Sequence, residues 1–155
     1  VNLVSKKPFE ATATEVGYTS GSYGTHQLTA DINTPLTKDK KVLFRLNVGV
    51  NKAKSFLDYG YSNTLSFTPS LTFKATDKLT FNIDAELFNA KSTKPLYPGA
   101  TATSGVTNPA DIKLDYKKSL VHDDADAKST SSKAFVQAEY QISDNWKSTT
   151  LFSYV

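Results

Sequence analysis

The residues best suited to chemistry are few and scattered. His122, Asp123, Asp124 and Asp126 form an acidic run of the kind that hard cations favour. The run lacks the glycine turn and fixed ligand positions of a calcium loop, so it reads as a solvated acidic loop and no metal site is expected. Asp84 and Glu86 are two residues apart, on one face of a strand-like stretch. Paired carboxylates hydrolyse glycosides only at a defined separation in space, which sequence spacing does not supply. With two His, no Cys and no nucleophile elbow, phosphate loop or His-pair motif, neither an enzymatic activity nor a cofactor is expected.

Two other sets of side chains suit binding rather than catalysis. Arg45, the only Arg, falls on the polar side of an alternating stretch, where it can hold a neighbouring segment or pair with an acid such as Asp84 or Glu86. The simple pair is the favoured reading, and Arg45, Asp84 and Glu86 are taken as wall residues facing the lumen of a barrel. Tyr59, Tyr61, Tyr97 and Tyr116 sit in stretches read as loops. Aromatic rings there can pack against an organic ligand while the hydroxyls bond its oxygens. The competing reading is that they fold the loops on themselves.

The elements that must carry these residues are strands. Residues 42–51 set Val42, Phe44, Leu46, Val48 and Val50 against a side on which only Leu43 is apolar. Residues 65–74 and 79–88 repeat the scheme, and the polar side of the latter carries Asp84 and Glu86. Period-two alternation marks a strand with two different faces. Weaker alternation predicts strands near 11–20, 24–34, 133–143 and 146–155, giving about seven in all. Pro69, in the middle of a predicted strand, removes a ladder hydrogen bond and predicts a bulge or kink.

The connections alternate in length. Short turns at 35–41, 75–78 and 143–145 are rich in Asp, Asn, Lys and Pro, whereas longer links run over 52–63 and 90–132. Only the tight link at 20–24 departs from that rhythm. Short turns at one end and long loops at the other are the asymmetry of outer-membrane barrels, and strands of about ten residues suit a tilted membrane crossing. A mean hydropathy of −0.37 is compatible with this, because only alternate strand residues meet lipid. Phe73, Tyr140, Trp146 and Tyr154 are candidates for interfacial aromatic girdles. A soluble antiparallel sandwich would also alternate and stays open on these residues alone. The +3 formal charge is dispersed, with lysines in turns or beside acids, so no nucleic-acid partner is expected. An odd strand number cannot close an up-and-down barrel, and the chain is expected to be a piece of a longer one.

Three stretches carry a family resemblance. Val1-Asn2-Leu3-Val4-Ser5-Lys6-Lys7-Pro8 resembles the end of the plug domain in TonB-dependent siderophore receptors, where a strand leads into the barrel. Leu43 to Asn47, Ser55 to Asp58, Phe67 to Phe73 and Thr76 to Leu79 together are similar to the third to fifth barrel strands of that family. Phe135 to Tyr140 with Asp144-Asn145-Trp146 is similar to a later hairpin.

The resemblance implies an all-β fold of antiparallel up-and-down strands, part of a transmembrane β-barrel of about 22 strands. It divides the chain into residues 1–8, the end of the plug and its junction, and 9–155, the first part of the wall. It implies a bacterial outer-membrane location with outer-membrane lipid around the wall, and active import of a ferric siderophore. Energy would come from the TonB-ExbB-ExbD complex through an N-terminal part that this chain lacks. Any ligand contacts carried by this chain are expected at Tyr59, Tyr61, Tyr97 and Tyr116, in extracellular loops. The alternatives are a TonB-dependent receptor for a glycan or peptide, then a porin-like passive barrel, then a soluble sandwich binding module.

Overall fold

The computed structural model describes residues 5–93, 108, 115, 117–119 and 124–155. Among the described residues seven strands follow one another in chain order: β1 (Ala13–Gly21), β2 (Thr25–Pro35), β3 (Val42–Lys54), β4 (Tyr61–Lys74), β5 (Leu79–Thr93), β6 (Asp126–Ser143) and β7 (Trp146–Tyr154). They form a single sheet in the order β1-β2-β3-β4-β5-β6-β7, with every neighbouring pair antiparallel. This is one meander rather than two packed sheets, so the sandwich alternative fails.

Register sorts the side chains onto two faces. Ile32 lies opposite Leu46 and Leu46 opposite Pro69, while Phe44, Leu71, Ile83, Val136 and Phe152 form the next row. Among the described residues these apolar rows have no partner layer: Leu28, Leu65, Ile83, Leu87 and Phe152 are all exposed. Among the described residues the only buried hydrophobic side chain is Leu43, on the opposite face. A soluble sheet would cover such a face, because each large apolar side chain left in water forgoes about 1.5–3 kcal/mol. From Leu65 to Phe73 the apolar band runs about 27 Å along the strand, close to what a tilted strand needs to cross a hydrocarbon core.

The buried groups are polar. Asn33, Ser70, Thr72 and Asn82 join Leu43 below one-tenth exposure on the polar face, and Thr93 does so at the long-loop end of β5 on the other side. Ser70 donates its hydroxyl to Asp84 at 2.5 Å, and Thr72 donates to Asn82 Oδ1 at 2.8 Å. Among the described residues no buried side-chain polar atom lacks a partner, as burial of such groups requires.

Several expectations change in detail. The long-loop ends of β3 to β6 reach Lys54, Tyr61, Thr93 and Asp126, beyond the alternating stretches. Above the apolar band both faces are polar, so the period-two signal stops before the strand does. The loop expected over 52–63 shrinks to 55–60, and Tyr61 begins a strand. Pro69 makes no bulge: Phe67 pairs with Leu87 and Ser70 with Asp84 in one register, and only the ladder positions between them are missing. The proline turns its absent N–H toward β5 while still lying opposite Leu46 of β3. The register shift in the sheet falls instead between Gln141 and Ser143.

Phe73 stacks on Phe81 at 6.4 Å beside the short turns, and Tyr140 and Trp146 lie at the same end, as a girdle requires. Tyr154 does not. It pairs with Ala134, which faces Ala85 at mid-band. The tight link is a 3₁₀ turn, Ser22–Gly24, with Tyr23 and Gly24 both left-handed at φ 58° and 60°.

Candidate functional site

The most developed arrangement on the polar face is not a pocket but a peptide held against the wall. Residues 5–12 precede β1 and run over the polar side of the sheet. Asn33, only 1% exposed, receives the Phe9 N–H on Oδ1 at 3.0 Å and donates Nδ2 to the carbonyls of Phe9 and Ala11 at 2.8 and 2.5 Å. One carboxamide thereby imitates a neighbouring strand for this segment.

Beside it, Arg45 donates Nε and Nη2 to the two oxygens of Asp31 at 2.9 and 2.8 Å. Its Nη1 donates to the Lys7 carbonyl at 3.0 Å, and the guanidinium lies 5.2 Å from the Phe9 ring centroid. Lys6 adds an ion pair to Asp31 at 2.8 Å. With its nitrogen turned inward, the Asn47 amide donates to Asp31 as well, at 3.1 and 3.3 Å. Both members of the Arg45–Asp31 pair are about one-sixth exposed, so the pair is partly desolvated and its fork geometry fixes the planar guanidinium. The expected partner of Arg45 was Asp84 or Glu86. Register overturns that: Asp31 lies diagonally across the adjacent strand, whereas Asp84 is taken by Ser70 and Glu86 pairs with Lys133 at 3.6 Å.

The segment is tied further along the sheet. Lys74, at the end of β4, bonds Glu10 at 2.6 Å, with Lys40 at 3.9 Å. The Lys74 bond and charge, with Lys40 behind them, hold the Glu10 carboxyl below its ordinary value. Lys7 reaches Glu139 of β6 at 3.5 Å. That carboxylate also accepts from Gln137, Asn82 and Lys147. Ties from β2 to β6 mean that the segment lies over the face rather than along an edge.

At the long-loop end the tyrosines separate. Tyr59 sits in the loop 55–60 in the left-handed region, φ 60°, and its carbonyl accepts the Thr93 hydroxyl at 2.6 Å. Asp58 donates its N–H to the Lys117 carbonyl at 2.7 Å, docking the long loop on the short one. Tyr61 stands on the apolar-face side of β4, donates its hydroxyl to Asp126 and carries the Lys91 ammonium 5.9 Å above its ring. Tyr97 and Tyr116 lie outside the described residues, as do His122 and Asp123. A cleft of about 210 Å³ between the two loops is lined by Ser55, Leu57, Tyr61, Ser62 and Ser92. It is smaller than the ~300 Å³ at which small-molecule ligand sites begin.

Arg45, Asp84 and Glu86 all lie on the polar face. Sequence reasoning missed Asp31, Asn33 and Glu139. The one available signal was Arg45 itself, an unpaired charge in a strand that demanded a partner.

No family model matches the chain. Among curated proteins it is 32% identical over 87 residues to the metal-pseudopaline receptor CntO of Pseudomonas aeruginosa, a match covering 56% of this chain and 12% of that protein. Among solved structures it superposes on the ferripyoverdine receptor of the outer membrane of Pseudomonas aeruginosa with a TM-score of 0.81 and 17% identity, covering 96% of this chain and 20% of that one. The ferric-catecholate import receptor Fiu of E. coli K12 gives a TM-score of 0.78 and 21% identity, covering 98% of this chain and 23% of the receptor. The chain thus spans about a fifth of those solved receptors and about an eighth of the curated one. The fold is that of a run of outer-membrane receptor barrel wall. These structural neighbours are TonB-dependent siderophore receptors, the family that the sequence resembles, and the outer-membrane location expected from the sequence agrees with them.

Proposed function

We propose that this chain is the opening stretch of the barrel wall of an outer-membrane receptor that actively imports a metal chelate, with a ferric siderophore as its cargo. The observation that carries the reading is the segment of residues 5–12 tied to the polar face by Asn33 and Arg45. A barrel fed by a plug needs such a lead-in. On this reading residues 1–8 end the plug and form the junction, the wall follows, and Arg45, Asp84 and Glu86 face the lumen.

The similar proteins support the cargo class: one is a metal-pseudopaline receptor, another a ferripyoverdine receptor, another a ferric-catecholate import receptor. The iron arrives chelated and is substrate, so the wall needs no metal ligands of its own. The TonB-ExbB-ExbD complex supplies the energy to the whole receptor. Tyr59, Tyr97 and Tyr116 are proposed chelate contacts from the loops, while Tyr61, engaged by Asp126 and Lys91, braces the loop from the outward side.

The test is deletion of the gene for the whole protein, followed by growth on iron-depleted medium with single added siderophores. Loss of growth on one siderophore, restored by the intact gene, is the expected result. Unchanged growth on all of them in a strain lacking other receptors would move the assignment to another nutrient or a passive pore.

A further inference from the structure

The apolar face changes character abruptly at its long-loop end. His26, Lys52, Asn63, Lys91 and Lys128 are paired in a single row across β2 to β6. Alternation sets this row on the same side as Leu28, Val50 and Leu65, one step beyond them. Lys54 stands one step further out on β3. The adjacent row on the polar side, Gln27, Asn51, Thr64, Ala90 and Ser129, holds no charge at all.

The lysines therefore face outward, away from any cargo path. Asp126 offsets one of them, pairing with Lys91 at 2.5 Å. Lys52, Lys54 and Lys128 are exposed and make no ion pair among the described residues.

Height decides what this row meets. Lys52 lies two residues beyond Val50, about 7 Å along the strand, and the polar layer of a bilayer adds about 5–8 Å beyond the hydrocarbon on each side. Lys54 and Lys91 lie four residues beyond the last apolar residues of their strands, about 13 Å, and Lys128 higher still. Flexible lysine stems let each ammonium settle at the depth of its counter-charge. A basic row starting in the headgroup layer and climbing out of it fits a bulky anionic headgroup better than a thin zwitterionic one.

We infer that Lys52, Lys54 and Lys128 form a docking surface for the phosphate groups of saccharide-based lipids in the outer leaflet. The inference rests on the proposed function in taking the apolar face as the lipid-facing one and the long-loop end as the outer one. The complementarity is electrostatic: clustered lysines at a membrane boundary attract anionic headgroups, each adding about fivefold in affinity. Bound there, such lipids would brace the same loop ends that carry Tyr59 and the long loop.

The test uses the full-length receptor in nanodiscs, titrated with bisphosphorylated lipid A and, separately, with phosphatidylethanolamine. Wild-type receptor should retain lipid A in preference, and added salt should weaken the binding. The triple variant K52Q/K54Q/K128Q, which leaves the Lys91–Asp126 pair intact, should bind lipid A on the order of 10- to 100-fold more weakly. Arginine at the same three positions should restore it, and Lys133→Gln on the polar face should change nothing. Equal retention of the two lipids by wild type, undiminished binding by the triple variant, or an equal loss in Lys133→Gln would overturn the inference. Chelate uptake by the same cells is read independently. Lipid binding without uptake sinks the import reading alone, and uptake without lipid preference sinks this one alone.

Discussion

Asn33 satisfies both backbone hydrogen-bonding groups of Phe9, accepting its N–H and donating to its carbonyl, across 24 residues of sequence. The same side chain reaches Ala11. A strand edge normally supplies such paired bonds; here a single buried amide does so. It ties the segment to the wall at Phe9 and Ala11, just before β1 begins.

Replacing Asn33 by Ala strands the Phe9 N–H and the two carbonyls. An unsatisfied buried group costs about 1–3 kcal/mol. The expected outcome is faster amide exchange at Phe9 in the full-length receptor, with β3 to β5 protected as before. Asn33→Asp keeps the acceptor but sets a second oxygen against the two carbonyls that Nδ2 served, and in this buried position should loosen the segment at least as much as Ala.

Arg45→Lys keeps the charge but loses the fork that spans both Asp31 oxygens and reaches the Lys7 carbonyl. Arg45→Ala goes further and leaves Asp31 with Lys6 and Asn47. For a partly exposed pair the loss should be about 2 kcal/mol for Ala and less for Lys. Protease cleavage between residues 5 and 12 should rise in the order wild type, Lys, Ala.

The Glu10–Lys74 tie predicts a pH dependence. Lys74 lowers the Glu10 carboxyl in the folded protein, so its contribution is complete above the unfolded value of about 4.3 and disappears as pH falls through the lower folded value. Amide exchange around Glu10 should be flat from neutrality to about pH 5 and rise below about pH 4. In Glu10→Gln the rise should vanish. An unchanged acid response in that variant would show that another carboxylate holds this end of the segment.

Sidedness gives the sharpest test of the fold. Leu46 and Thr68 lie on adjacent strands near mid-band but on opposite faces. Leu46→Arg should cost about 2–4 kcal/mol of insertion free energy and deplete the receptor from the outer membrane, whereas Thr68→Arg should insert nearly normally. Immunoblots of outer-membrane fractions read both.

The strands that cross the apolar band were legible in the sequence, because lipid on one side and water on the other impose period two on residues 42–51, 65–74 and 79–88. Their outer extensions were not, because Lys52, Asn63 and Lys91 meet polar surroundings on both faces and the alternation lapses. Pro69 illustrates a second limit. Its missing N–H was certain from the sequence, but whether the chain bulges or tolerates a gap depends on the strands either side, and the register with β3 and β5 held.

The site was partly legible in the same sense. Arg45 announced that a charge needed a partner, but Asp31 lay in a weakly alternating stretch and nothing local distinguished it from Asp84. Asn33 gave no signal at all. Its role comes from a segment that reaches it only after the chain has turned back over the sheet.

The most direct measurement is uptake of radiolabelled iron, presented as its siderophore chelate, by cells carrying or lacking the full-length receptor, with and without dissipation of the inner-membrane proton gradient. Active import through this receptor predicts uptake that needs both the receptor and the gradient. Receptor-dependent uptake that persists after the gradient is dissipated would contradict it and make the barrel a passive pore.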